Sequence, residues 1–387
     1  MGAGPAGSYA AYELASSGHN VAVLEEKSAS GLDVCCTGII STECFQALDP
    51  GTDTILTKVN SARFFSPSGR CLRVQTENVQ AYVVNRFLLD KSMAFKAQTK
   101  GAQYFFSSTV IDIIPGKNSI QAETLCFGAK EKFTARAIVL ANGFKPGLPR
   151  KVGLGKIKHF LVGAQAEVEM TNVEEFEIYF GQDIAPGAFA WLVPTSPSKA
   201  YVGLLATTLA DLHLRGLLND LDRRGRIASP HVEIGHKAIP VGTLPHTYAD
   251  RILVIGDAAG QVKPTTGGGI YFGHIGARIA AQVLHEALIS DDLTAGHLSQ
   301  YEKQWKTRMG KELSRGYWAR RAYAKLTDHQ IDRIFAVIAS NGMADALLNS
   351  GDFSFDWHTK LISAVLRRTF AYPLLKVRRP FPSGANS

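Results

Sequence analysis

The sequence is poor in cysteine. The five cysteines among its 387 residues are Cys35, Cys36, Cys44, Cys71 and Cys126. Their number is odd and no two have the C-x-x-C spacing, so neither a disulfide framework nor a zinc site is expected. The 11 histidines form no pair at the spacing of metal ligands, and we expect no metal. These absences indicate a reducing compartment, the cytoplasm.

Long apolar runs are missing as well. No stretch approaches the roughly 18 consecutive apolar residues of a membrane-spanning helix, and no signal-peptide pattern opens the chain. Internal repeats and the nucleophile-elbow pattern of serine hydrolases are also absent from the sequence. With 45% hydrophobic and 20% charged residues, the composition is that of a globular protein large enough for two intertwined domains.

Acidic residues are scarce at the end of the chain. Residues 301–387 carry 15 Lys and Arg against 7 Asp and Glu, whereas the first 300 residues carry 27 of each. The basic side chains that alternate there with aromatic residues and leucines are Arg367, Arg368, Lys376, Arg378 and Arg379. This pattern is typical of a solvated helical face, and also of a segment that contacts an anionic membrane surface. Nucleic-acid binding is not expected, because no known reading module accompanies the basic residues.

A glycine-rich turn opens the chain. Residues 2–7 read Gly-Ala-Gly-Pro-Ala-Gly, and a helix-forming segment follows until Gly18 ends it. A short apolar strand, residues 21–24, then leads to Glu25. This order of turn, helix, strand and acid is the dinucleotide-binding fingerprint, in which glycines let the backbone approach a pyrophosphate and the acid binds a ribose.

The residues in front of this turn depart from the fingerprint. Met1 stands directly before Gly2, where a buried strand of about five or six residues should precede the turn. We expect that the start assigned to the sequence lies too late. A true truncation that weakens cofactor binding is the alternative.

A second glycine-rich turn lies two-thirds of the way along the chain. An apolar run, residues 252–255, predicts a buried strand that ends at Gly256 and Asp257, and the glycines at 267–269 lead into a long helical segment. Asp257 can accept hydrogen bonds from the sugar-alcohol chain of a flavin. Glycines at a helix N-terminus let backbone N–H groups approach the flavin ring. Together the two turns predict a bound flavin dinucleotide.

The periodicity of apolar residues changes along the chain. Helix and strand patterns alternate at first, and from about residue 161 to 241 a period of two predicts an antiparallel sheet. We predict a discontinuous cofactor domain, residues 1–150 and 245–290, interrupted by a substrate domain at 151–244. A basic helical region, 291–387, follows.

Four further segments, taken together with the two turns, match the motifs of a known protein family. They are residues 36–41 (Cys-Thr-Gly-Ile-Ile-Ser), 82–86 (Tyr-Val-Val-Asn-Arg) with Asp90, 186–194 (Pro-Gly-Ala-Phe-Ala-Trp-Leu-Val-Pro) and 263–271 (Lys-Pro-Thr-Thr-Gly-Gly-Gly-Ile-Tyr). Over nearly its whole length the chain resembles the geranylgeranyl reductase family of FAD-dependent oxidoreductases. This resemblance implies an α/β fold: an FAD-binding Rossmann-like domain of the glutathione reductase-2 and p-hydroxybenzoate hydroxylase type, an inserted antiparallel substrate sheet and a helical C-terminal region.

The resemblance also implies roles for individual residues. The flavin site would consist of Gly2, Gly4, Ala6, Gly7, Glu25, Cys36, Thr37, Ile39, Arg86, Val110, Asp257, Gly268, Gly269 and Ile270. Phe189 and Trp191 would line an isoprenoid tunnel. Cys36 or Tyr271 would supply a proton, and water is a third source. Asn142 departs from the wider group, which often has Asp at this position.

Simpler interpretations of these residues stay open. Arg86 could form an ion pair with Asp90, four residues further on. Cys36 could be an inert buried side chain. Phe189 and Trp191 could be core aromatics, since one face of a strand is usually buried.

The activity implied by the resemblance is the reduction of C=C bonds in a geranylgeranyl chain carried by a lipid or a diphosphate. Ferredoxin or NAD(P)H would supply the electrons, and the protein would be cytoplasmic or peripheral on the inner face of the membrane. The main alternative is a flavin-dependent monooxygenase or halogenase of the same group. A quinone-linked carrier is less favoured because an iron–sulfur cysteine set is missing, and a non-catalytic truncated homologue is the last alternative.

Overall fold

A computed structural model describes residues 1–145, 147–170, 175–339, 354–360 and 362–363. The strands are β1 (Ala22–Leu24), β2 (Ile39–Ser41), β3 (Ile55–Val59), β4 (Ser61–Phe65), β5 (Cys71–Gln75), β6 (Ala81–Val84), β7 (Gln103–Phe105), β8 (Ser108–Pro115), β9 (Ile120–Cys126), β10 (Ala129–Ala135), β11 (Ile138–Leu140), β12 (Phe160–Glu169), β13 (Phe176–Phe180), β14 (Phe189–Ser196), β15 (Lys199–Ala206), β16 (Gly235–Pro240), β17 (Tyr248–Ala249) and β18 (Ile252–Val254). The helices are α1 (Pro5–Ser16), α2 (Thr42–Leu48), α3 (Arg86–Thr99), α4 (Gly147–Lys151), α5 (Ala210–Arg223), α6 (Ile270–Ile289), α7 (Ala295–Trp305), α8 (Lys311–Tyr323) and α9 (Asp328–Ala339). A π-helical turn, Lys306–Gly310, joins α7 to α8.

The first residues of the chain lie between β1 and β11. On one side the Met1 amine donates to Val139 O and Ala141 N donates to Met1 O, both at 2.9 Å. On the other side Gly2 N donates to Leu24 O at 2.8 Å. β7 pairs in parallel with β1, and β18 pairs in parallel with β11. Residues 1–2 therefore join the two halves of one parallel layer.

Helices α1, α3 and α6 pack together beside this layer. Proline at the first position of α1 suits a helix start, and Gly18, with φ +83°, adopts the left-handed conformation just after the helix ends. Asn85 caps α3 by accepting a hydrogen bond from Leu88 N at 3.2 Å. The buried faces of α1 and α6 are rich in alanine and glycine, which lets the two helices pack closely.

A seven-stranded sheet forms the second layer, in the order β16-β12-β15-β14-β13-β4-β5. Neighbouring strands are antiparallel except for β13 and β4, which are parallel. Helix α5 buries its leucines against one face of the sheet. Because β4 and β5 precede residue 151, the sheet extends beyond the range 151–244, and the domain boundaries stay a prediction.

A buried polar network fixes the turn that follows β18. The Tyr301 hydroxyl donates to Val254 O at 2.8 Å and accepts from Gln261 Nε2 at 2.7 Å. Gln261 Oε1 accepts in turn from Gly256 N at 2.8 Å. Tyr301 and Gln261 are fully buried, so these contacts take the place of water. The network ties the backbone next to Asp257 to helix α7.

Replacing Tyr301 by phenylalanine tests this network. We expect Tyr301→Phe to lower the free energy of unfolding by about 1–3 kcal/mol, because a buried carbonyl and a buried amide lose their hydrogen-bonding group. Tyr12→Phe is the control, since the Tyr12 side chain is only half-buried, and its effect should stay within about 0.5 kcal/mol. Urea unfolding followed by tryptophan fluorescence measures both variants. Equal losses would contradict the role assigned to Tyr301.

Candidate functional site

A cavity of about 1280 Å³ lies between the parallel layer and the seven-stranded sheet. It exceeds the roughly 300–1,000 Å³ of an ordinary small-molecule pocket. The residues predicted from the sequence that line it are Gly2, Gly4, Ala6, Glu25, Cys36, Thr37, Ile39, Arg86, Val110, Phe189, Trp191, Asp257, Gly268, Gly269, Ile270 and Tyr271. Gly7 is the member of the predicted set that does not line the cavity; it packs against Gly2 instead.

The first glycine turn forms one end of the cavity. Helix α1 begins there at Pro5, and a Cβ added to Gly4 would meet no atom within 4 Å. Glu25 reaches the same turn and accepts hydrogen bonds from Ala3 N at 2.6 Å and from Lys27 N at 3.0 Å. This end combines open backbone with a helix N-terminus, an arrangement that binds phosphate groups.

Asp257 and the start of helix α6 form the next part of the wall. Gly256 has φ +65°, a conformation that glycine adopts without strain. A Cβ on Gly269 would lie 2.6 Å from Asp257 Oδ1, so glycine leaves room for the carboxylate. Asp257 Oδ2 lies 3.0 Å from Lys237 Nζ. No sequence motif marks Lys237, since a single lysine in an alternating strand gives no local pattern.

Cys36 lies at the cavity wall beside Arg86. The Arg86 guanidinium donates to both carboxylate oxygens of Asp90, at 3.0 and 2.9 Å, so the predicted ion pair forms and Arg86 also lines the cavity. Cys36 Sγ accepts from Gly38 N at 3.4 Å. Burial would raise the pKa of the Cys36 thiol, but the positive charges of Arg86 and Lys237 outweigh it, and the pKa is lowered. Cys36 lines the cavity, and its part in the chemistry stays a prediction.

The Tyr271 hydroxyl is directed at Glu43, to which it donates a short hydrogen bond. Burial and this contact raise the pKa of Tyr271 above its usual value. Tyr271 is consequently a neutral hydroxyl at physiological pH. Its role as a proton donor stays a prediction.

Aromatic side chains line the other end of the cavity. Phe189 and Trp191 on β14 face it, with ring centroids 5.9 Å apart. The further apolar side chains at this end are Phe64, Phe176, Ile178, Phe180 and Leu205. The cavity therefore passes from a polar wall at the glycine turns to an apolar wall on the sheet.

Residues 354–360 cover one side of the cavity. Asp356 pairs with Lys263 at 2.7 Å, and both side chains are buried. Trp357 packs on Phe272 with ring centroids 5.2 Å apart. This segment fastens the second glycine turn in place, although its sequence shows no recognisable motif.

The residues of this site fit a flavin dinucleotide. The polar end offers open glycine backbone, and Asn142, which lines the cavity, has a buried Oδ1 without a hydrogen-bond partner among the described residues. A ligand with donor groups would satisfy that oxygen. The volume leaves space for an apolar chain beside the dinucleotide. Within the described residues, no group of three or more His, Cys, Asp or Glu side chains could hold a metal ion.

Comparisons with known proteins agree with this geometry. Residues 1–177 match the family described as pyridine nucleotide-disulphide oxidoreductase. A digeranylgeranylglycerophospholipid reductase of Methanocaldococcus jannaschii is 32% identical over 350 residues, covering 86% of this chain and 88% of that protein. Digeranylgeranylglycerophospholipid reductase 2 of Methanothermobacter thermautotrophicus is 33% identical over 349 residues, covering 86% of this chain and 89% of that protein.

Solved structures share the fold. A geranylgeranyl bacteriochlorophyll reductase-like protein of Thermoplasma acidophilum has a TM-score of 0.86 at 22% identity and covers 97% of both chains. The flavin-dependent halogenase CmlS has a TM-score of 0.69 at 16% identity, covering 97% of this chain and 77% of that chain. The predicted α/β fold with a Rossmann-like dinucleotide-binding domain is confirmed.

Gly7 and Gly4 give a matched test of the first turn. A Cβ on Gly7 would lie 2.0 Å from Gly2 O, so Gly7→Ala must shift the backbone, and we expect it to lower the free energy of unfolding by about 1–3 kcal/mol. Gly4→Ala places its methyl in open space and should change that free energy by no more than about 0.5 kcal/mol. Urea unfolding of the two ligand-free variants measures both free energies of unfolding. If Gly7→Ala were as stable as Gly4→Ala, the close contact between residue 7 and Gly2 O would not be needed for stability.

Proposed function

Because this chain belongs to the digeranylgeranylglycerophospholipid reductase family, we propose that it is an FAD-dependent reductase of C=C bonds in an isoprenoid chain. One observation carries the proposal: a single cavity joins a dinucleotide-binding end to an aromatic end. The first end suits FAD, and the second suits an apolar polyene. A reductase of prenyl chains needs both at the same place.

The geometry suggests how the residues take part. When bound, reduced FAD supplies a hydride for one carbon of the double bond. The aromatic wall at Phe189 and Trp191 orients the apolar chain and keeps water away from it. Cys36 or Tyr271 gives a proton to the other carbon. Glu25 and Asp257 hold the ribose and the sugar-alcohol chain of the cofactor.

The finer identity of the substrate is part of the proposal. A geranylgeranyl chain on a glycerophospholipid or a diphosphate fits the aromatic end, and the names of the related reductases favour the lipid. Halogenases share the fold at 16% identity, which leaves a monooxygenase or halogenase as the second candidate. The relatives at 32–33% identity favour the reductase.

Electron donor and location complete the proposal. Ferredoxin or NAD(P)H supplies electrons, and the absence of a second G-x-G-x-x-G motif from the sequence favours ferredoxin or a briefly docked nicotinamide. We place the protein in the cytoplasm, peripheral on the inner membrane face, where its lipid substrate lies. The basic residues 367–379 that support membrane contact lie outside the described residues. Helices in the described ranges are not long and apolar enough to cross a membrane.

Removing the Asp257 carboxylate tests the cofactor site. We expect Asp257→Ala to weaken FAD binding by about 10- to 100-fold, the worth of one charge-assisted hydrogen bond, so that the protein purifies largely without flavin. The control is Asp211→Ala, which removes an exposed carboxylate paired with Arg215 and should leave the protein yellow. The ratio of visible flavin absorbance to protein absorbance measures both. Full flavin content in Asp257→Ala would refute the assignment.

Lipid analysis tests the reaction itself. In a host that makes geranylgeranyl lipids, expression of the chain should produce lipids heavier by one H₂ for each double bond reduced. Mass spectrometry of extracted lipids measures this gain, with Asp257→Ala as the matched control. Lipids that instead gain one oxygen atom would favour the monooxygenase, and unchanged lipids with a flavin-loaded protein would exclude this substrate class.

A further inference from the structure

Helix α8 carries a basic stripe on its exposed side. The stripe consists of exposed residues on α8 and just after it, which are Lys311, Arg315, Trp318, Ala322 and Lys325. Successive members are three or four residues apart, so they share one side of the helix. Arg308, in the π-helical turn before α8, and Arg321 are exposed as well and add to the positive charge.

No exposed carboxylate of α8 balances these charges. Residues 303–325 contain eight Lys and Arg, and Glu312 is the single acidic residue among them. Glu312 is buried. Within the part of the chain that the structure describes, the side chains of Lys311, Arg315 and Lys325 form no ion pair or hydrogen bond. The basic stripe can therefore bind an anionic partner without first breaking contacts of its own.

An aromatic side chain lies in the middle of the basic stripe. Trp318 is 62% exposed, and it is the exposed one of the four tryptophans. Its ring stands edge-on to that of Tyr317, with centroids 5.4 Å apart, and the Arg321 guanidinium lies 5.3 Å from its centroid. An exposed tryptophan among cations is typical of helices that lie at a membrane surface, because the indole joins an apolar ring to an N–H donor.

The buried side of α8 contacts the walls of the cavity. Glu312 accepts hydrogen bonds from His358 N at 2.6 Å and from Thr359 N at 3.0 Å, in the segment that covers one side of the cavity. A Cβ on Gly316 would lie 3.2 Å from Pro264 Cδ, in the second glycine turn. The basic stripe and the cavity wall therefore lie on two sides of one helix, which is about 10 Å across.

From these observations we propose that the basic stripe is the surface through which the protein binds an anionic lipid membrane. The proposal deepens the proposed function and rests on it, because the membrane is where an isoprenoid lipid would be found. The cations attract the anionic headgroups, and Trp318 enters the headgroup region. The contact is separate from the basic residues 367–379.

Helix α8 also connects the basic stripe to the aromatic end of the cavity. Tyr317, next to Trp318, packs against the apolar cluster that Phe189 and Trp191 also contact. An isoprenoid chain that leaves the membrane beside α8 would have a short way to this aromatic wall. Little of its apolar surface would then be exposed to water during transfer, which is the state that the hydrophobic effect disfavours.

Other partners fit the basic stripe less well. A second copy of the chain would bring the same cations face to face, and like charges repel. An acidic protein would match the charge of the stripe. The exposed indole and the neighbouring apolar cavity favour a lipid surface over such a protein.

Vesicle flotation of the flavin-loaded full chain tests the proposal. We expect binding to vesicles of equal parts phosphatidylglycerol and phosphatidylcholine, little binding to pure phosphatidylcholine, and release at high salt, which screens the charges. Lys311→Glu combined with Arg315→Glu should weaken binding to the anionic vesicles by about 25-fold or more, since each cation near such a surface is worth about fivefold in affinity.

The matched control is Lys117→Glu combined with Lys130→Glu. It makes the same change in net charge at two exposed lysines, one in the hairpin between β8 and β9 and one on β10. Its binding should stay near that of the wild type. Unchanged binding in the double variant of α8 would overturn the proposal, and so would an equal loss in this control, because net charge rather than the basic stripe would then govern binding.

Tryptophan fluorescence shows which residue enters the membrane. Emission of the wild type should shift to shorter wavelength on binding to the anionic vesicles, because the Trp318 indole moves into a less polar environment. Trp318→Phe keeps an apolar ring, so it should still bind but lose the shift. A shift of full size in Trp318→Phe would contradict the proposed contact.

Two further outcomes separate this proposal from its alternatives. A wild type that does not bind the vesicles overturns it. If that protein instead binds an acidic ferredoxin, and Lys311→Glu with Arg315→Glu abolishes this binding, the basic stripe is a protein-docking surface. The vesicles contain no isoprenoid, so vesicle binding by a protein that reduces no lipid would support the membrane contact and count against the proposed function alone.

Discussion

The site depends on the close approach of helix α1 to the turn after β18. Ala6 lies between two glycines: a Cβ on Gly256 would be 3.1 Å from the Ala6 Cβ, and one on Gly273 would be 3.4 Å from it. A side chain at Gly256 would crowd Ala6, and a methyl group at Gly273 would already touch it, since protein interiors leave little free space. Two turns that are far apart in sequence can therefore form one continuous wall around the polar end of the cavity.

The cavity wall also holds charged groups, and each has an opposite charge nearby. Asp90 neutralises Arg86 and Asp257 neutralises Lys237, at 2.9 and 3.0 Å. Arg86 and Asp90 are only 10% and 2% exposed, and an isolated charge there would cost several kcal/mol. The carboxylates also hold the two cations in position at the cavity wall.

The glycine turns could be predicted from the sequence because each is encoded by a few consecutive residues. Glu25 and Asp257 reach the cavity because strand, turn and acid follow one another locally. Lys237 could not be found in this way, since its direction depends on the pairing of β16 with β12. The buried pair of Lys263 and Asp356 joins residues 93 positions apart, and no local pattern connects them. The parallel pairing of β4 with β13 extends the sheet past its predicted range. It too joins residues far apart in sequence, so no local pattern predicts it.

At the aromatic end of the cavity, the pairing register of the strands determines which side chains face the cavity. Trp191 is paired with Gly203 across β14 and β15, and a Cβ on Gly203 would lie 2.6 Å from the Trp191 ring. Glycine at this position lets the indole lie against the sheet. Because side chains alternate along β14, the same register turns Phe189 toward the cavity. The shape of the apolar wall thus follows from one cross-strand pair, in which the smallest residue makes room for the largest.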